Sequence, residues 1–79
     1  MEKIEGGALP EDYEIRSDRH NLMLFVYKNG VACRKQQKTI IRPLAIWFRV
    51  ADRAKALRYA RKHAELGLTT DQEVPEFEY

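Results

Sequence analysis

Two runs of apolar and polar residues flank Asn29-Gly30, and together they predict a β-hairpin over residues 22–40, LMLFVYKNGVACRKQQKTI. Asn-Gly between β-rich runs is a strong hairpin signal, because a type I′ turn needs positive φ at both central residues. A two-residue turn fixes the register, and the register sorts side chains onto two faces. The expected pairs on one face are Lys28 with Val31, Val26 with Cys33, Leu24 with Lys35 and Leu22 with Gln37. The other face is expected to set Tyr27 against Ala32, Phe25 against Arg34 and Met23 against Gln36, with Lys38 beyond. The first face is aliphatic near the turn; the second mixes aromatic rings with basic and amide groups.

Around this hairpin the patterning is plainer. Residues 1–12 contain Gly6, Gly7 and Pro10 and few apolar groups, which predicts a flexible acidic arm. Tyr13-Glu14-Ile15-Arg16 alternates as a short strand would, and residues 17–21 read as a polar turn. The sheet has four strands if residues 13–16 join it and three if they do not. Arg42-Pro43 interrupts the second hairpin strand, since Pro has no amide donor and biases its predecessor to extended geometry. AIWFRV at 45–50 then reads as a further strand, with Ile46, Phe48 and Val50 on one side and Trp47 and Arg49 on the other. The competing reading starts a long helix at Pro43 and runs it to Leu66; the density of aromatic and β-branched residues favours the strand.

Asp52 is placed to cap a helix running to about Leu66, with Gly67 as its left-handed stop and Lys62 and His63 near its C-terminal dipole end. Its helical spacing puts Ala56, Leu57, Ala60 and Ala64 on one face, flanked by Tyr59 and His63, with Lys55, Arg58, Arg61 and Lys62 opposite. From residue 68 the chain loses periodicity and all basic groups. This predicts an extended or disordered acidic tail over 68–79, with Val74, Phe77 and Tyr79 as anchors.

The expected architecture is a small α+β two-layer domain over residues 13–67, a three- or four-stranded antiparallel sheet packed on one C-terminal helix. Its covered face would be Leu22, Leu24, Val26, Val31, Cys33, Ile46, Phe48 and Val50. Its uncovered face would be Phe25, Tyr27, Arg34, Gln36, Lys38, Trp47 and Arg49.

Composition sharpens this picture at one point. The 79 residues carry a net charge of only +2, but the charges are strongly partitioned. Residues 1–15 hold one Lys and five acids, residues 16–63 hold thirteen Lys and Arg against two acids, and residues 64–79 hold five acids and no base. A basic centre repels itself, so it implies an acidic counterpart. That counterpart is either an external partner or the chain's own ends folded back. The single Cys33 excludes an intrachain disulfide and the usual cysteine-based zinc site. The acidic N-terminus has no apolar run, so neither a signal peptide nor a membrane segment is expected, and the expected compartment is the cytoplasm.

Chemistry-bearing constellations are few. His20 and His63 lack a sequence-evident partner and are expected at the surface, and Cys33 is expected to be an inert buried thiol. There is no phosphate loop, metal-ligand spacing or paired-acid site, so neither an enzyme nor a cofactor is expected. The uncovered sheet face is the candidate. Arg and Lys bind phosphates, Gln and Arg pair with base edges, and aromatic rings stack on unpaired bases. The nucleic-acid-binding residues expected on this basis are Phe25, Tyr27, Arg34, Gln36, Lys38, Trp47 and Arg49, with Lys55, Arg58 and Lys62 on the helix as further phosphate contacts. The alternative is that the rings pack beneath a terminal segment or against a second copy of the chain.

The order of strand, Asn-Gly turn, basic strand and FRVADRAKALRYARKHAEL resembles the arm-type, AP2-like DNA-binding domain of tyrosine integrases. The matching positions lie within residues 22–64: Tyr27, Asn29, Gly30, Arg34, Lys35, Lys38, Phe48, Ala54, Ala56, Leu57 and Ala60. The resemblance implies a sheet that enters the DNA major groove through Arg34, Gln36, Lys38, Trp47 and Arg49. A weaker resemblance is to small phage-encoded proteins that inhibit host complexes. The expected function is therefore non-enzymatic nucleic-acid binding, with DNA ahead of RNA. The alternative is a phage- or prophage-type interaction module whose basic centre meets an acidic surface on a host protein complex. A ligand-free homodimer is a third reading.

Overall fold

The computed structural model describes residues 9–35 and 44–78. Within them an antiparallel sheet packs on one C-terminal helix. Strand β1 (Tyr13–Ser17) pairs along its length with β2 (Met23–Lys28). The turn between them is held by Asp18, whose Oδ1 accepts the Leu22 and Met23 amides at 2.7 and 3.1 Å. Those two bonds hold the Asp18 carboxyl below its ordinary pKa. Asn29 (φ 53°) and Gly30 (φ 80°) form the left-handed pair expected of the hairpin turn, and β3 (Val31–Ala32) returns with Lys28 opposite Val31 and Tyr27 opposite Ala32. Cys33 adds one more rung, donating its amide to the Val26 carbonyl at 2.8 Å.

Beyond Cys33 the structure departs from the expected hairpin. The second strand leaves β2, and β4 (Arg34–Lys35) pairs with β5 (Leu44–Ala45) in a separate two-stranded sheet. The vacated edge of β2 is taken by β6 (Trp47–Arg49), which sets Phe25 against Trp47, Leu24 against Phe48 and Met23 against Arg49. The expected Phe25–Arg34 and Leu24–Lys35 pairs are thus replaced. The Ile46 amide bonds the Cys33 carbonyl at 3.0 Å, so Cys33 is the point at which β2 exchanges one neighbour for the other. Residues 44–49 are extended rather than the start of a long helix. The expected pairs of Gln36 and Gln37, the position of Lys38 and the Arg42-Pro43 break lie outside the described residues, as do residues 1–8 of the arm and Tyr79.

A 3-10 turn at Val50–Asp52 leads into α1 (Arg53–Glu65), and Asp52 occupies the N-cap position without a side-chain capping bond. Gly67 ends the helix at φ 67°. The buried helical residues are Ala56, Leu57, Tyr59, Ala60 and His63. The small Ala56 and Ala60 let the helix approach the sheet, where Leu24, Val26, Cys33, Ile46 and Phe48 complete the core. Leu22, Val31 and Val50, expected to be covered, are exposed. Each lies just outside the helix-covered part of its strand: Leu22 precedes β2, Val31 adjoins the turn, and Val50 opens the 3-10 turn.

Residues 68–78 form no regular element yet belong to the packed body. Val74 is buried and donates its amide to the Tyr59 hydroxyl at 3.1 Å. The Phe77 ring meets Tyr59 and Phe48 edge-on, at centroid separations of 5.0 and 6.2 Å. The Lys28 ammonium donates to the Leu68 carbonyl at 2.9 Å, and the Arg34 amide donates to Thr70 at 2.9 Å. No helix among the described residues is long and apolar enough to cross a membrane.

Candidate functional site

Residues directly opposite one another in a sheet share a face, so the buried Val26 and Leu24 identify which side the helix covers and, by alternation, which side it leaves open. The open side carries two cross-strand rows and part of a third. Glu14, Tyr27 and Ala32 form the first; Arg16, Phe25 and Trp47 the second; Met23 and Arg49 the third. Trp47 is 52% exposed and Arg49 is exposed, while Phe25 and Tyr27 are half-buried among their neighbours.

Arg16 organises this surface. Its guanidinium carbon lies 4.2 Å from the centroid of the Tyr27 ring, and Nη2 donates to Glu14 Oε1 at 3.0 Å. The hydrogen bond to Glu14 raises the Arg16 pKa further above its ordinary value, so the face carries a fixed cation at every accessible pH. Arg16 and Glu14 were not among the residues expected here. The alternation of residues 13–16 was visible, but β1 could be assigned to this surface only once its pairing with β2 was known.

The other expected site residues scatter. Arg34 is exposed on β4, beyond the bend at Cys33. Arg58 and Lys62 are exposed on α1, and Lys62 Nζ pairs with Glu65 Oε1 at 3.3 Å; Lys55 is half-buried. Because α1 packs on the inward side of the sheet, its solvent face looks away from Trp47. The structure therefore brings Phe25, Tyr27, Trp47 and Arg49 together and separates them from the helical cations. Gln36 and Lys38 lie outside the described residues.

Three titratable side chains, His63, Tyr13 and Cys33, lie in the interior. His63 is fully buried rather than at the surface, because its ring bridges two distant segments. Nε2 lies 3.1 Å from the Gln72 carbonyl, which can only accept, so Nε2 carries the proton. Nδ1 of the neutral ring is then an acceptor, and the Tyr13 hydroxyl donates to it at 2.6 Å. Burial holds His63 below its ordinary pKa and pushes Tyr13 up to about 12. Burial likewise pushes the Cys33 thiol up to about 11, far from the thiolate a nucleophile needs. Among the described residues no group of three or more His, Cys, Asp or Glu is placed to hold a metal ion.

Comparison with protein-family models, curated proteins and solved structures gave no match.

Proposed function

We propose that the open sheet face is a nucleic-acid-binding surface, with DNA ahead of RNA, and that the protein acts by binding rather than by catalysis. The observation that carries this reading is the half-exposed Trp47 beside Phe25, with Arg16 and Arg49 on the same face. An exposed indole among cations suits a polyanion with stackable bases, since rings stack on bases regardless of sequence and guanidinium groups bind phosphate. The basic residues 16–63, which contain this whole face apart from Glu14, supply long-range attraction of the same sign. Of the residues through which the resemblance to the arm-type domain of integrases implies DNA contact, Trp47 and Arg49 lie on this face.

Binding to random duplex DNA, single-stranded DNA and RNA across a salt series tests this, with Arg16→Ala/Arg49→Ala alongside. Affinity that falls steeply with salt, and more gently in the double variant, is expected, because each lost phosphate contact releases fewer counterions. Absence of binding to all three at low salt would overturn the reading and redirect this face to an acidic protein surface.

A further inference from the structure

The hydrogen-bond phase of the sheet identifies which backbone groups of β1 face outward. The Cys33 amide bonds the Val26 carbonyl, so the even-numbered residues of β2 address the β3 side and Tyr27 and Phe25 address β1. Their partners Glu14 and Arg16 therefore direct their amides and carbonyls to β2. The flanking bonds keep this phase: Asp18 N–H donates to the Met23 carbonyl at 3.0 Å, and Asn29 N–H to Asp12 at 2.8 Å. Ile15 and Ser17 consequently turn their N–H and C=O groups away from β2, while the Tyr13 N–H turns back to the Pro10 carbonyl at 3.1 Å. Among the described residues β2 is the only strand that β1 pairs with. Its outer edge is a template for another strand.

We propose that this edge pairs with β1 of a second copy of the chain, antiparallel about a two-fold axis at Ile15. The charge pattern of the strand selects both the partner and the register. With the axis at Ile15, the two Ile15 residues exchange their outward N–H···O=C bonds. Glu14 then faces the second copy's Arg16, and Arg16 the second copy's Glu14. Opposite charges directly across an antiparallel pair attract, and the two-fold axis supplies that pair twice. Tyr13 falls opposite the second copy's Ser17, so all five residues of the strand are used. Moving the axis to Tyr13 would set Glu14 against the second copy's Asp12, a like-charge pair next to the axis; the Ile15 axis brings Asp12 and Asp18 opposite one another only beyond the ends of the strand, where Asp12 leaves extended geometry (φ 76°). Moving it to Ser17 would set Arg16 against Asp18, whose carboxylate already accepts the Leu22 and Met23 amides. Glu14 and Arg16 are exposed and already lie 3.0 Å apart within one copy, so pairing exchanges the intrastrand contact of each copy for two cross-strand contacts that join the copies. A five-residue strand buries little area, so the dimer is a weak one that forms at high protein concentration. It does not depend on nucleic-acid binding and is measured without it.

Sedimentation of the full chain, at concentrations up to the millimolar range, reads the association directly. The wild type is expected to dimerise. Glu14→Arg, which sets two guanidinium groups against each other in both cross-strand pairs, should weaken dimerisation on the order of tenfold or more. Glu14→Arg/Arg16→Glu should restore it. Ile15→Pro removes an N–H that the β1–β2 ladder does not use and should abolish the dimer while circular dichroism shows the fold retained. A wild type that stays monomeric throughout overturns the proposal. So does a folded Ile15→Pro that still dimerises, or a folded charge-swapped double variant that does not.

Discussion

The Tyr13 hydroxyl donates a 2.6 Å hydrogen bond to His63 Nδ1, joining the first strand to the last turn of the helix across fifty residues of sequence. With Nε2 bonded to the Gln72 carbonyl, the imidazole fastens β1, α1 and the C-terminal segment to one another. Both rings are buried, so neither partner can turn to water if the other is lost. Tyr13→Phe leaves Nδ1 a buried acceptor without its donor and should cost about 1–3 kcal/mol. Urea unfolding of the variant checks this; an unchanged midpoint would show the bond to be energetically idle.

Burial of the same two side chains gives stability a pH dependence of definite sign. The folded pKa of His63 lies below its ordinary 6.5, so the native state binds fewer protons than the unfolded chain there, and stability rises with pH. This contribution is complete above 6.5 and is lost as pH falls from 6.5 toward the lowered folded value. Lys28 and the Tyr13 and Tyr59 rings are the groups that face the imidazole, and none of them offers a carboxylate to hold an imidazolium. Tyr13 acts at the other end: its folded pKa of about 12 exceeds its ordinary 10.0, so the stability it contributes is lost as pH rises through that interval. Denaturant midpoints across a pH series should therefore form a plateau with both shoulders. His63→Gln should flatten the acidic shoulder.

The C-terminal segment contributes to the core rather than merely to solubility. Val74→Ala removes two buried methyl groups from beside Tyr59 and should cost about 2 kcal/mol. Phe77→Ala removes an edge-on contact from both Tyr59 and Phe48 and should cost about as much, since the ring is only partly buried. Thermal unfolding of each variant measures this. Wild-type stability in both would place residues 68–78 outside the cooperative unit.

Local signals in the sequence led correctly to the turn at Asn29-Gly30, the helix ending at Gly67 and the inward set of Val26, Cys33, Ile46 and Phe48. Each depends on spacing within a few residues, or on a turn whose φ angles few residue types adopt. The exchange of partners along β2 was not legible. Both candidate neighbours alternate in phase with β2, and the choice between Arg34 and Trp47 opposite Phe25 is made by contacts far apart in sequence. His63 failed for a related reason. Its helical position placed it beside the core, but its burial depends on Tyr13 and on a backbone carbonyl at Gln72, neither of which a pattern can reveal. Arg16 joined the open face through the pairing of β1, which the alternation of residues 13–16 allowed but did not require.

The chain's single tryptophan sits within the proposed binding face, so its own fluorescence reports on the central claim. Titration of the protein with unlabelled single-stranded and duplex DNA at low salt, followed by addition of salt, is the most direct test. Stacking of bases on Trp47 predicts saturable quenching that salt reverses. Binding that leaves Trp47 emission unchanged, or no binding at all, would contradict the account.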